Sequence, residues 1–406
     1  MQGQLASLYF QAYKLAYDVA KKAERAFRHE LGLQSSNYVQ FGYWDSLKKG
    51  LLAGEKLGQD LRRMEVAYLD QNKREYEMTK HVSLLQLDPL TLVILKETGR
   101  CEFSVPEALF DLDYPGHYMR RLKSVSVTIP CVAGPYTNVP CTVTLLKSQI
   151  RRNASLAREY GRDLQNDDSR FTDLFGPIQS VATSSGQNDS GMFETNLRDE
   201  RYLPFEGMGT ISGWRVELPT NFKTFDYESI SDVILHLRYT ARDGGEALKA
   251  AAAGGLQDAF NEMTAGENGR GVTRLFSLRH EYPTEWHQFL TTANTDGNHV
   301  QTFTLSEDRF PFLFQGRTLT IKRVDLFGVP KAEQEISMLP ELSPPGREAP
   351  PLQDGARIGQ LMHKVVTPLS VKVALVPWTL TVPKASSQTF VESTDDILVL
   401  ATYEVT

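Results

Sequence analysis

Apolar side chains recur at helical spacing from the start of the chain. Leu5, Leu8, Ala12, Leu15 and Val19 follow one another at steps of three and four. Ala23, Ala26 or Phe27, and Leu31 continue the row less cleanly. Such a row is a heptad seam and predicts a helix of roughly seven turns. Gly32 stands where a C-terminal cap belongs. Tyr9, Phe10, Tyr13 and Tyr17 broaden the apolar face, so contacts are expected on more than one side. The helix then belongs either to an antiparallel hairpin within the chain or to a bundle made by several copies. After a connector at 37–43, Asp45 or Ser46 can cap a second helix. Its apolar row, Leu47, Leu51, Leu57, Leu61, Met64 and Tyr68, is expected to run on through Tyr76 to about Val82. The opposite face carries Lys48, Glu55, Lys56, Arg62, Arg63 and Asp70, a solvated face with charge pairs four apart. Asp88-Pro89 opens a third, short helix that Gly99 ends.

After Gly99 the period changes to two. Val125, Val127 and Ile129 alternate with Ser124, Ser126 and Thr128, and Val143 and Leu145 with Thr142 and Thr144. Gly134-Pro135 marks a turn between these two strands. Residues 151–188 are polar and weakly patterned, a loop-like excursion with room for a short helix. Trp214-Arg215-Val216-Glu217-Leu218 and Asp232–Tyr239 again alternate. These strands are expected to join the flanking β-rich stretches in one sandwich. Residues 246–265 are Ala-rich, with Leu248, Ala252, Leu256, Phe260 and Met263 on one stripe, and predict an inserted helix that Gly254-Gly255 interrupts. Strand character returns at 276–289, 299–305, 317–327, 369–382 and 397–405, and the Pro-rich 341–354 reads as an exposed loop. No self-similarity with a period of 20–50 residues is visible, which disfavours a solenoid or propeller. The pattern predicts an α+β chain. Long, coiled-coil-like helices occupy 1–100, and a mainly antiparallel, β-sandwich-like domain with an inserted helix occupies 101–406.

Composition narrows the function classes. The chain has 406 residues, 41% of them apolar, enough for a real core. A net charge of −6, with no basic run interleaved with aromatics, gives no reason to expect nucleic acid binding. The apolar run 371–382 is broken by Lys372 and Pro377 and is too short to span a bilayer. The N-terminal stretch has no basic region followed by an uninterrupted apolar one, so it is not a Sec signal. Cys101, Cys131 and Cys141 lack metal-ligand spacing and are expected to be apolar thiols, with Cys131 and Cys141 able to face each other across a hairpin.

A search for chemistry finds no catalytic set. Asp199 and Glu200 are adjacent, so on an extended chain they face opposite sides and do not make a glycosidase pair. With their neighbours they suggest a structural ion network instead, Arg198, Arg201 and Arg238 against Asp199 and Asp243. His280, His287 and His299, with Glu281 and Glu285, miss the compact spacing of a zinc site. Residues 207–213 miss the dinucleotide fingerprint by one position, and 266–271 lack the lysine of a phosphate loop. No catalytic residue, cofactor or metal ligand is therefore expected.

Four ordered stretches carry a family resemblance. They are Phe41-Gly42-Tyr43-Trp44-Asp45-Ser46-Leu47-Lys48-Lys49-Gly50, then Lys80-His81-Val82-Ser83-Leu84-Leu85-Gln86-Leu87-Asp88-Pro89, then Asp113-Tyr114-Pro115-Gly116-His117-Tyr118-Met119-Arg120-Arg121, and 191–245. Together they resemble the C-terminal region of the A subunit (TcA) of bacterial Tc toxin complexes, the part that binds the TcB subunit. The resemblance spans about residues 5–245. It implies a non-catalytic assembly module of a secreted toxin complex. In that family the A subunit is a homo-pentamer around a long helical channel, and its C-terminal domains form a funnel at the channel entrance. The funnel docks the β-propeller of the TcB–TcC cocoon and opens its gate for the toxic payload. By the same resemblance, residues 5–31 correspond to the end of a channel helix and 45–82 to the join between channel and funnel. Two alternatives come from other classes. One is a glycan-binding β-sandwich, for which Trp214, Trp286 or Trp378 would have to be exposed. The other is a purely structural oligomerisation module.

Overall fold

The computed structural model describes residues 2–45, 50–134, 137, 139–156, 159–174, 179–183, 205–221, 223–264, 271–311, 316–331, 334–346, 351–374 and 376–405. The first helix, α1 (Gln2–Leu31), is followed by a connector and by α2 (Ala53–Gln71). Two features position this pair. Tyr13, Tyr17, Ala20, Phe27 and Leu31, again at steps of three and four apart from one gap, turn toward Leu57, Leu61, Met64 and Tyr68 of α2. Tyr9 meets the start of α2, its hydroxyl accepting from the Gly54 amide at 3.2 Å, while Phe27 meets Tyr68 near its end. The two helices therefore run parallel, not as an antiparallel hairpin, and the connector retraces α1 between them. Trp44 anchors its far end against Tyr9, Phe10 and Tyr13, with ring centroids 4.9–5.4 Å apart. Gly50, at φ +73°, leaves no room for a Cβ beside the Trp44 ring.

The second helix stops at Gln71, short of the expected Val82. Residues 76–83 form β1 (Tyr76–Ser83) because pairing with a later strand, Tyr76 opposite Ala241 through Ser83 opposite Ile234, outweighs the helical spacing. Then follow α3 (Leu84–Leu87), α4 (Pro89–Thr98), β2 (Arg100–Val105), α5 (Ala108–Asp111), β3 (His117–Thr128) and β4 (Cys141–Arg151). The excursion holds two short strands, β5 (Phe171–Leu174) and β6 (Gln179–Thr183). β7 (Ile211–Glu217) and β8 (Ile234–Asp243) complete this part. The sheets β1–β8–β3 and β2–β7–β4–β5, the latter with β6 also on β4, enclose one core centred on Trp214, Val216, Leu237 and Tyr239, each fully buried.

The inserted helix is α6 (Gly245–Thr264). Beyond it lie β9 (Val272–Ser277), α7 (Leu278–Glu281), α8 (Pro283–Thr291), β10 (His299–Thr304), β11 (Leu319–Pro330) and β12 (Glu341–Ser343). Next come β13 (Gln353–Asp354), β14 (Met362–Val366), β15 (Val371–Lys372), β16 (Pro377–Val382), α9 (Lys384–Ser393) and β17 (Thr394–Val405). Residues 276–289 are thus mostly helical. Ser277 ends β9 and caps α7, accepting from the His280 amide, and Pro283 starts α8, where Trp286 and Phe289 face inward. The sheets β13–β14–β11–β17–β9 and β10–β16–β12 enclose a second core, built on Phe276, Phe289, Val399 and Tyr403. The β-rich region therefore holds two packed sheet pairs with separate cores, not the single one expected. The pairings are antiparallel throughout.

The connector is tied down by Glu24, which is only 5% exposed. Its carboxylate accepts from the Tyr38 amide at 2.7 Å, the Val39 amide at 3.3 Å and the Lys21 ammonium at 3.0 Å. Burial pushes this carboxyl up, but the Lys21 charge and the two amides outweigh it and hold it below the usual range. A depressed carboxyl contributes stability above its unfolded value of about pH 4.3 and loses it as the pH falls through the folded value. Glu24→Gln is expected to cost about 1–2 kcal/mol at neutral pH. In urea titrations the gap between variant and parent should close toward about pH 3. A gap that stays constant with pH would contradict this role.

Candidate functional site

The helical pair is fixed to the first sheet pair through the C-terminus of α1. A helix leaves its last four carbonyls without intrahelical partners. Here the Leu33 amide donates to the Arg28 carbonyl at 2.9 Å and the Gly32 amide to the His29 carbonyl at 3.3 Å, with Gly32 at φ +70°. The remaining two are met by Arg242 of β8. Its Nη2 donates to the Glu30 carbonyl at 2.8 Å and its Nη1 to the Leu31 carbonyl at 3.3 Å. A guanidinium here also opposes the negative end of the helix dipole. Arg242 is buried, and Glu75 balances its charge, accepting from Arg242 Nε at 3.0 Å and from Arg121 Nη2 at 2.8 Å. Arg121 reaches back to the Glu30 carboxylate at 2.9 Å.

A bulge in β3 makes this joint possible. Register slips between Tyr118 and Arg121, and Met119 sits at φ +53°, a conformation that costs a side-chain-bearing residue about 1–2 kcal/mol. Both Arg120 and Arg121 are thereby buried, although neighbours on a regular strand face opposite sides. Arg120 enters a second charged knot. Its Nη2 donates to Asp111 at 2.6 Å, and Arg151 makes a two-pronged contact with Glu107 at 2.8 Å on each prong. The Tyr160 hydroxyl donates to Asp111 at 2.8 Å. Gly32 packs on this bulge, where a Cβ would lie 3.1 Å from the Met119 sulfur and 2.9 Å from the Arg152 carbonyl.

With its C-terminus anchored and one face on α2, α1 leaves its other face in water. That face is the heptad seam seen in the sequence: Leu5, Leu8, Leu15 and Val19 are 66%, 64%, 68% and 56% exposed. Fully burying one such side chain is worth about 1.5–3 kcal/mol. A row of them at heptad spacing is a surface suited to another helix.

Of the residues expected to form an ion network, Arg238 and Asp243 are described. Arg238 lies mid-strand in β8 and pairs with Glu77 of β1 at 2.6 Å on the surface. Asp243 accepts from the Gly245 amide at 2.8 Å where α6 begins. Arg198, Asp199 and Arg201 lie outside the described residues. The buried arginines that do form networks, Arg120, Arg121, Arg151, Arg170 and Arg242, were not singled out by spacing. The one signal was the Arg120-Arg121 pair after Asp113-Tyr114-Pro115-Gly116. Trp214, Trp286 and Trp378 are 0%, 5% and 2% exposed, so none offers a sugar-stacking face. None of the three cysteines is in a disulfide, and burial pushes the Cys101 thiol up to about 12, which makes it unreactive. Among the described residues, no group of three or more His, Cys, Asp or Glu side chains could hold a metal ion, and no helix is long and apolar enough to cross a membrane.

Residues 1–241 match the family described as the Tc toxin complex TcA C-terminal TcB-binding domain. The chain belongs to this family. Its match covers the helical pair and the first sheet pair up to Ala241 in β8. A curated relative, the toxin subunit YenA2 of Yersinia entomophaga, is 40% identical over 248 residues, 59% of this chain and 18% of that protein. Among solved structures, Morganella morganii TcdA4 is 27% identical at a TM-score of 0.42 over 59% of this chain and 11% of its own. Yersinia pseudotuberculosis TcaA–TcaB is 26% identical at 0.43 over 60% and 14%. The chain thus spans less than a fifth of the length of these relatives.

For a family member of this build, the α1 joint should be a large stabilising element. Arg242→Met leaves two carbonyls and part of the Glu75 charge unmet and is expected to cost about 3–5 kcal/mol. Arg242→Lys keeps the charge but not the fork and should recover only part of the loss. Urea unfolding reads the cost, and hydrogen exchange at residues 28–33 should speed up. An Arg242→Met protein as stable as the parent would show that the joint does not hold the helix.

Proposed function

We propose that this chain is the docking end of a Tc toxin A component, a non-catalytic module that joins the helical channel to the TcB partner. The observation that carries this reading is an anchored helix with an uncovered apolar seam, held beside a β unit of the TcB-binding family. In this reading the seam of α1 closes against the same helix of neighbouring copies. A pentamer would then form a funnel at the channel entrance, with the β-rich parts around its mouth. The partner is TcB, and docking would seat the β-propeller of a TcB–TcC cocoon over the funnel and open its gate. The module would work outside the producing cell, in a secreted toxin complex. The glycan-binding alternative has no observation in its favour, since the three tryptophans it needs are buried.

Multi-angle light scattering tests the assembly half of this reading. The 45.7 kDa chain should gain mass with concentration. The double variant L8E/L15E should stay monomeric with unchanged circular dichroism. A parent that is monomeric at every concentration, or a double variant that associates equally, would contradict it. Biolayer interferometry against a TcB–TcC cocoon tests the docking half, with the chain free and fused to a five-fold scaffold. Binding is expected to be tighter for the five-fold form; no binding by either would end the TcB reading.

A further inference from the structure

The two sheet pairs repeat one another. In the first, β1–β8–β3 faces β2–β7–β4; in the second, β9–β17–β11 faces β10–β16–β12. The six strands occur in the same chain order in both. Side chains repeat as well. Ser83 ends β1, caps a four-residue helix, and donates to Asp232, which also accepts from the Leu85 and Val233 amides at 2.9 and 2.7 Å. Ser277 ends β9, caps a four-residue helix, and donates to Asp396, which accepts from the Arg279 and Ile397 amides at 2.9 and 2.7 Å. Each short helix is followed by one that begins with proline, Pro89 or Pro283. Phe103 lies opposite Trp214, and Phe303 opposite Trp378. Tyr239 meets Phe110 edge-on at 5.2 Å, and Tyr403 meets Phe310 edge-on at 4.8 Å. The register of β3 slips at Lys123 and that of β11 at Lys322. So many matches in the same order identify residues 272–405 as a second copy of 76–243.

The copies share their scaffold and differ on their surfaces. Arg121, part of the α1 joint, corresponds to Thr320. His81, Thr128 and His236 on the outer face of the first sheet correspond to Leu275, Phe327 and Leu400. These apolar replacements, with Leu398 and Leu361, pack on Leu90 and Val93 of α4. The second copy thus grips the first through α4, next to the chain that leads into the start of β8. The α1 joint lies at Arg242, at the other end of β8, about 26 Å away along the strand. The Arg242 joint and the α4 contact of the second copy thus lie toward opposite ends of β8.

The other sheet of the second copy, β10–β16–β12, turns a changed face outward. In the first copy this face is a charged lattice, with Arg100 and Arg215 each 2.9 Å from Glu102. In the second it carries Val300, Thr302, Thr379, Thr381 and Ser343, with Glu341 at the rim. Arg215, opposite Glu102 and one residue past Trp214, corresponds to Thr379, opposite Thr302 and one residue past Trp378. Interface centres are depleted in charge because stripping water from ions is costly, whereas methyls gain on being covered and hydroxyls cost far less than ions where the partner meets their hydrogen bonds. We propose that the second copy extends the TcB-binding surface beyond the family-matched region, and that TcB seats on this charge-poor face. The proposal rests on the docking function above. It follows from the face's place in a repeat of the TcB-binding unit, on the sheet turned away from the α4 contact.

The test uses the full chain on a five-fold scaffold, with a TcB–TcC cocoon as the probe. Thr379→Arg restores the charge that the first copy has and should weaken binding at least tenfold with an unchanged melting temperature. Arg215→Thr, the reverse exchange in the first copy, should stay within twofold of the parent. Thr302→Lys on the edge strand repeats the test if Thr379→Arg disturbs the fold. A parent that binds, with Thr379→Arg and Thr302→Lys binding equally well, would overturn the face assignment and leave the docking function standing. A parent that does not bind would overturn both.

Discussion

The end of α1 is the constraint on which the join between helices and sheets depends. Two of its last carbonyls are met by the turn at Gly32 and two by one arginine from β8. That arginine is buried, so it cannot let go without stranding a charge and two backbone acceptors. The strained bulge at Met119 serves the same joint by bringing Arg121 onto Glu75 and Glu30. A helix held this way cannot swing on its linker. Its outward seam keeps a defined orientation to the β-rich part, as a channel-to-funnel connection would need.

The rest of the chain divides labour along similar lines. Charge is buried where parts must be joined in one geometry, as in the knots of Glu107 with Arg151 and Asp111 with Arg120. Apolar surface is left open on α1, where a further helix can cover it. The second sheet pair repeats the scaffold of the first with a different surface. One face is apolar and holds α4. Another lacks the ion pairs that Arg100, Glu102 and Arg215 make in the first.

Much of this was legible in the sequence, for specific reasons. The row Leu5–Leu8–Ala12–Leu15–Val19 gave the first helix, and Asp88-Pro89 with Gly99 gave the limits of the third, because caps and periodicity are local. The four ordered motifs were enough to place the family. What was hidden was set by distant partners. Residues 76–83 looked helical until β8 offered a ladder. The parallel run of α1 and α2 depends on Trp44 and Glu24 fixing a connector that has little pattern of its own. The duplication escaped a search for short periods, since its copies share few identical residues and are interrupted differently; it shows in pairings such as Phe103 with Trp214 and Phe303 with Trp378. The buried arginine joint left only the dipeptide Arg120-Arg121 as a trace.

The central claim is that this chain meets TcB through its β-rich part and not through the α1 joint. Hydrogen–deuterium exchange with and without a TcB–TcC cocoon addresses it most directly, using the five-fold form of the chain. The account predicts new protection at residues 299–304 and 377–382, with exchange at the α1 joint unchanged. Protection confined to α1, or none anywhere between residues 76 and 405 under conditions where the cocoon is in excess, would contradict it.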